Sequence, residues 1–353
     1  MSEIHDILQS AIERGGSDVF IIPGSCVRLK VSGEVRPLLD TVLRPDDTRR
    51  LIKQVYELDN RDMDHLTQHG DDDFSFSVSG VGRFRCNAYQ QRNSLAMVLR
   101  VVSLVLPNPE KMHIPDEILR LADVKKGLVL VTGPAASGKS TTLACIIDRI
   151  NTNRHGHIIT IEDPIEFIHA HKASVLSQRE IEHDTQSYKT ALRAALRQAP
   201  DVILLGEMRD FETIQTALTA AETGQLVLST LHTVGAAKTI DRIIDVFPAN
   251  QQQQIRVQLS MVLRAVVSQQ LLPAADGGLE PAFEIMMVNS AIQNMIRDGK
   301  AHQMDNVIFS GQAEGMRTMD GDIYRLYAQK RITKETALLF AANPEQLKKK
   351  LES

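Results

Sequence analysis

The sequence predicts an α/β protein of two domains, a small α+β domain followed by a larger one built on a mainly parallel sheet. Three observations carry this. Residues 73–102 alternate apolar and polar with the period of half-buried strands. Beyond residue 114, apolar runs of four to six residues alternate with helical segments, as in a sheet covered on both faces. Between the two textures lies an aperiodic stretch holding Pro107 and Pro109, the position of a domain linker. The expected organisation is therefore 1–102, a linker over 103–113, and 114–353. A chain of 353 residues is long enough for two such cores without disulfide or metal staples.

The elements follow in order. Ile4, Ile7, Leu8, Ala11 and Ile12 recur at helical spacing, and Gly15-Gly16 stops them. Val19–Ile22 and Val27–Val31 read as short strands around Pro23-Gly24, and Arg44–Tyr56 as a helix with Pro45 at its start. Phe74, Phe76 and Val78 share one strand face. A turn at Ser79–Gly82 follows, after which Phe84, Cys86 and Ala88 face one way and Arg83, Arg85 and Asn87 the other. Leu95–Val102 is a further strand. In the second domain the apolar runs are Leu128–Val131, Ile158–Ile161, Val202–Leu205 and Leu226–Leu228. From about Asn250 the pattern turns helical: Ile255, Leu259, Val262, Leu263 and Val266 form one stripe, and Asn289–Arg297 is a short helix closed by Gly299. Lys348–Lys350 reads as a solvated tail, and Gln251–Gln254 as an exposed helix face.

Composition narrows the function. Lys+Arg total 40 against 44 Asp+Glu, giving a net charge of −4, and aromatics are 4 % with no Trp. Neither a basic track nor stacking platforms for nucleic acid are expected. Cys26, Cys86 and Cys145 are isolated, so a zinc ribbon or disulfide framework is not expected. The N-terminal residues lack a signal-peptide pattern, and no apolar run is long enough for a membrane span.

The segment Gly133-Pro134-Ala135-Ala136-Ser137-Gly138-Lys139-Ser140 fits G-x-x-x-x-G-K-[ST], between an apolar strand and the helix opened by Thr141. Glycines let backbone N–H groups wrap phosphates, and the helix N-terminus adds positive potential. Lys139 is expected to reach the β- and γ-phosphates of ATP, and Ser140 to offer its hydroxyl to Mg²⁺. Two acids close apolar runs, Glu162 (followed by Asp163) and Glu207. At the carboxyl ends of parallel strands they face a ligand crevice, where they can hold a hydrated Mg²⁺ and polarise water. Gly206 occupies the place of the usual metal-binding Asp, so Glu207 is expected to act on the metal through water. Thr230 and His232 end a third strand and can sense the γ-phosphate. His155, His157, His169, His171 and His183 are expected to be surface or loop histidines without a metal. Arg83, Arg85 and Arg92 read on spacing alone as exposed charges.

With Gly206-Glu207-Met208-Arg209-Asp210 the pattern becomes specific. Together with the loop 133–140, Thr160–Phe167, Ala199–Asp210, Thr230–Thr233, Gly82–Asn87 and Gly315–Asp320, the chain resembles the type IV pilus retraction ATPases of the secretion ATPase superfamily over essentially its whole length. The resemblance implies a PAS-like N-terminal domain, a RecA-like ATPase domain with a helical C-terminal part, and a homohexamer. It implies Glu162 as general base, Glu207 as the Walker B acid, His232 in a His box, and Arg83, Arg85 and Arg92 as nucleotide contacts. Implied partners are an inner-membrane pilus platform protein and a paralogous retraction ATPase. The implied place is cytoplasmic, peripheral at the inner face of the cytoplasmic membrane, without membrane insertion. Departures from the family pattern are Ala135-Ala136 for Thr-Gly, Gln225 for His, Phe20 for His, and Gln293 for Arg. Two other functions stay open: a pilus assembly or type II secretion ATPase, which the lack of a four-cysteine insertion and of a long N-terminal extension opposes, and a nucleotide-controlled non-motor scaffold.

Overall fold

The structure is a computed structural model that describes residues 3–31, 33–102 and 105–352. It divides into two compact units, Met1–Val105 with Glu166–Ile168, and Leu106–Ile165 with His169–Ser353. Of the stretch expected as linker, Ser103 and Leu104 lie outside the described residues.

The first unit contains α1 (Glu3–Glu13), β1 (Asp18–Ile21), β2 (Cys26–Val31), β3 (Glu34–Val42), α2 (Pro45–Leu58), α3 (Asp64–His69), β4 (Asp71–Val78), β5 (Gly82–Gln91) and β6 (Ser94–Val102). Its sheet runs β3-β2-β1-β6-β5-β4, with every pairing antiparallel. One face is apolar and buried. Phe74, Phe76, Val78, Phe84, Cys86 and Ala88 pack with Ile4, Leu8, Leu51 and Val55 from the two longer helices. Two elements depart from the sequence reading. Strand β3 carries no alternating pattern, because it is an edge strand on which only Leu38 is buried. Helix α3 has one buried residue, Leu66, too few to show a period.

The second unit continues with α4 (Asp116–Leu119), β7 (Gly127–Thr132), α5 (Lys139–Asn153), β8 (His157–Glu162), β9 (Val175–Glu180), α6 (Tyr188–Ala195), β10 (Val202–Leu205), α7 (Phe211–Glu222), β11 (Leu226–Leu231), α8 (Ala236–Asp245) and α9 (Ala249–Val262). It ends with β12 (Leu263–Pro273), β13 (Leu279–Met287), α10 (Ser290–Arg297), α11 (Met304–Ser310), α12 (Met319–Ala328), α13 (Lys334–Phe340) and α14 (Pro344–Glu352). The sheet order is β13-β12-β7-β11-β10-β8-β9. All pairs are parallel except β12–β13. Successive residues of one strand feed opposite layers. Leu128, Leu130, Ile203 and Leu205 enter the layer with α7 to α9, whereas Val129, Val131, Val202 and Leu204 enter the layer with α5. This two-sided burial is why the strands read as unbroken apolar runs.

The helical reading beyond Asn250 is corrected here. Helix α9 stops at Val262, and Leu263 opens an eleven-residue strand whose partner β13 returns antiparallel. The stripe Ile255–Val266 crosses this junction, so a helical spacing runs by coincidence into a strand buried between β7 and β13. Nor is Lys348–Lys350 a tail. It lies on α14, where Leu347 is buried and the Lys350 ammonium sits 4.2 Å from the Tyr324 ring centroid. Strand β9 and helix α6 were also not marked by pattern.

Candidate active site

Parallel pairing brings the carboxyl ends of β7, β11, β10 and β8 side by side along one edge of the sheet. The loop 133–138 leaves β7, His232 follows β11, Glu207 follows β10, and Glu162 ends β8. The loop, Glu162, Glu207 and His232 therefore converge on one edge.

The loop is a tight fit that only glycine permits at two positions. Gly133 has φ +143°, and a β-carbon there would lie 2.1 Å from the Gln269 carbonyl oxygen and 2.8 Å from Ser137 Oγ. Gly138 has φ +86° and would meet the Gln269 side chain at 2.8 Å. Ala136 also takes the left-handed region, at φ 59°. The loop keeps a glycine-like path there, at a cost of about 1 kcal/mol for the alanine. Pro134, Ala135 and Ala136 are exposed, Ser140 and Thr141 half-buried.

Lys139 is buried, and its ammonium donates to the carbonyl oxygens of Gly133 (3.0 Å) and Pro134 (2.8 Å). It thus arches over the loop. Ser137 Oγ is buried with no hydrogen-bond partner, an unmet polar atom inside the cradle. A glycine-only cradle, an arched lysine and an unmet hydroxyl together fit a phosphate chain.

Glu162 Oε1 accepts from the Thr160 hydroxyl at 2.7 Å and from the Gln178 carboxamide at 3.5 Å. The Asp163–Pro164 bond beyond it is cis. Glu207 is held from both sides. Oε1 meets Arg209 Nη2 at 2.6 Å and Oε2 meets His232 Nε2 at 3.2 Å. Ser229 and Thr230 tie β11 to the end of β10 by donating their hydroxyls to the carbonyls of Leu205 (2.8 Å) and Gly206 (2.6 Å).

Pattern did not mark Gln269, whose carboxamide oxygen accepts from the Thr142 hydroxyl at 2.7 Å. The polar stretch Ser268-Gln269-Gln270, between Val266-Val267 and Leu271-Leu272, was the available signal. Arg83 and Arg85 lie on β5 in the first unit. Arg85 pairs with Asp73 at 2.7 Å, and Arg83 donates to Ser77 at 3.3 Å. Arg92 sits in the β5–β6 turn at φ 46°. His169 lies in a loop, as expected, and is buried there, whereas His157 departs from the loop expectation by opening β8. Among the described residues no group of three or more His, Cys, Asp or Glu is arranged to hold a metal.

A phosphate cradle after β7, with acids at the carboxyl ends of the parallel strands β10 and β8, defines a P-loop ATPase on a RecA-like sheet. The family model described as type II/IV secretion system protein matches residues 1–327, and the chain belongs to that family. It is 43 % identical to the type IV pilus retraction ATPase PilT of Pseudomonas aeruginosa, across 97 % of this chain and 99 % of the relative. It is 41 % identical to the type IV pilus ATPase PilU of the same organism, across 98 % and 90 %. A crystal structure of the pilus retraction motor PilT with bound ADP superposes with a TM-score of 0.90 at 45 % identity, covering 99 % of each chain. The Legionella pneumophila ATPase DotB follows at 0.82 and 27 %, covering 95 % of this chain and 94 % of that one.

Proposed function

We propose that this chain is an ATP-hydrolysing hexameric motor that powers type IV pilus retraction. The observation that carries the reading is the convergence of the loop 133–140, Glu162, Glu207 and His232 on one sheet edge, in a chain like PilT along its whole length. The loop N–H groups and Lys139 bind the ATP phosphates, displacing the Lys139 ammonium from the loop carbonyls. Ser140 and, through water, Glu207 would hold Mg²⁺, which when bound offsets phosphate charge. Glu162 takes the proton of the attacking water as its oxygen bonds to the γ-phosphorus and the bridging oxygen leaves with ADP. His232 and Arg209 fix the Glu207 carboxylate. Arg83, Arg85 and Arg92 contact nucleotide phosphate.

Among the described residues no helix is long and apolar enough to cross a membrane. We infer a cytoplasmic motor, peripheral at the inner face of the membrane, that docks on an inner-membrane pilus platform protein and works beside a paralogous retraction ATPase. Phosphate release and oligomeric mass measured on one purified sample test the core of the reading: a hexamer that turns over ATP is expected. In the host, deletion should leave piliated cells that cannot twitch. Bald cells would point instead to an assembly motor, and a hexamer that binds but never hydrolyses ATP to a scaffold.

A further inference from the structure

Gly206 leaves the end of β10 without the side chain that such strand ends usually aim at a metal. Another group fills that place. A β-carbon at 206 would lie 2.7 Å from the Tyr188 hydroxyl, 3.3 Å from the Ile161 carbonyl oxygen and 3.4 Å from Glu162 Cα. Tyr188 opens α6, and its ring reaches across the ends of β8 and β10. The residue is half-buried, and among the described residues no hydrogen bond of its hydroxyl to protein is formed. Burial, together with the carboxylates of Asp163, Glu207 and Glu162, pushes the phenol well above its ordinary range. It is therefore a proton donor set among acceptors. Glu207 already holds Arg209 and His232, so water must relay between this carboxylate and a bound metal.

We propose that Tyr188 is a positioning residue for hydrolysis: its hydroxyl, seated in the space that Gly206 leaves, donates to the water through which Glu207 meets the Mg²⁺–nucleotide. This rests on the ATPase reading above. The same contact explains the glycine, since any side chain at 206 would displace the phenol.

Tyr188→Phe keeps the ring and removes one oxygen. Metal-free ADP binding should be unchanged. Retention of Mn²⁺ with ADP, read by electron paramagnetic resonance, should weaken about tenfold, and the Mg²⁺ needed for half-maximal turnover should rise by a similar factor. Equal Mn²⁺ retention and equal Mg²⁺ requirement would overturn the proposal. A second measurement checks the geometry. Gly206→Ala should lower the melting temperature in the native background and lower it less beside Tyr188→Phe, because the crowding oxygen is gone. Strictly additive losses would overturn the placement. A native chain that holds Mn²⁺ and ADP yet hydrolyses nothing would count against the motor reading alone, leaving the Mn²⁺ comparison to decide Tyr188.

Discussion

Nε2 of His232 lies 3.2 Å from Oε2 of Glu207, joining the end of β11 to the end of β10. Arg209 takes the other carboxylate oxygen at 2.6 Å. Glu207 is thus oriented from two sides, and its side chain is only 12 % exposed. Removing His232 frees one oxygen without touching the loop. His232→Ala should therefore lower kcat by about tenfold or more, with ADP affinity preserved. Steady-state turnover beside ADP titration reads this, and an unchanged kcat would show that the contact is idle.

Lys139 supplies the charge that the phosphate chain needs, and no neighbour on the loop can replace it. Lys139→Ala should abolish hydrolysis, a loss of at least about a hundredfold. Steady ATP turnover by this variant would remove Lys139 from its role.

Glu162 ends β8 with one oxygen engaged by Thr160 and Gln178. Glu162→Gln keeps the shape but cannot take a proton. Nucleotide should still bind, while hydrolysis falls by about a hundredfold or more. A near-normal rate would place the base elsewhere.

Ala136 sits in the left-handed region at φ 59°, and its side chain is exposed. Glycine adopts that conformation freely. Ala136→Gly should stabilise the loop by about 1 kcal/mol, seen as a higher melting temperature and tighter ADP binding. A lower melting temperature would mean that the extra freedom of the unfolded glycine outweighs the relieved strain.

Burial holds the pKa of His169 down from 6.5 to about 4, against the pull of Asp148. The unfolded chain takes up a proton near 6.5, and the folded one does not until about 4. Stability from this group is therefore full above the unfolded value and falls with pH below it, by about 2 kcal/mol at pH 5. Urea unfolding at pH 7 and pH 5 measures the loss. His169→Phe should shrink it, and an equal loss in the variant would assign the acid sensitivity to other groups.

The central strands were legible because both faces are buried, so Leu128–Val131 and Val202–Leu205 contain no polar interruption to confuse with a helix or a loop. The loop 133–140 was legible because its glycines are forced by contacts at 2.1 and 2.8 Å. Strand β3 was not, since one buried leucine makes no alternation. Strand β12 was not, since Val262, Leu263 and Val266 extend a helical spacing past the true helix end. The places of Gln269 and Tyr188 at the site arise from sheet order and helix docking. Only the polar break at Ser268-Gln269-Gln270 hints at the first, and no local pattern marks Tyr188.

Gln269 lies 127 residues beyond its partner Thr142, and its backbone forms the wall against Gly133. A nascent chain leaving the ribosome therefore displays the whole phosphate-binding motif long before it owns the pocket. Until β12 has been synthesised and zipped onto β7, the loop lacks its back wall, and ATP meets a motif without a vise. A fragment ending before Leu263 would carry the motif without that wall.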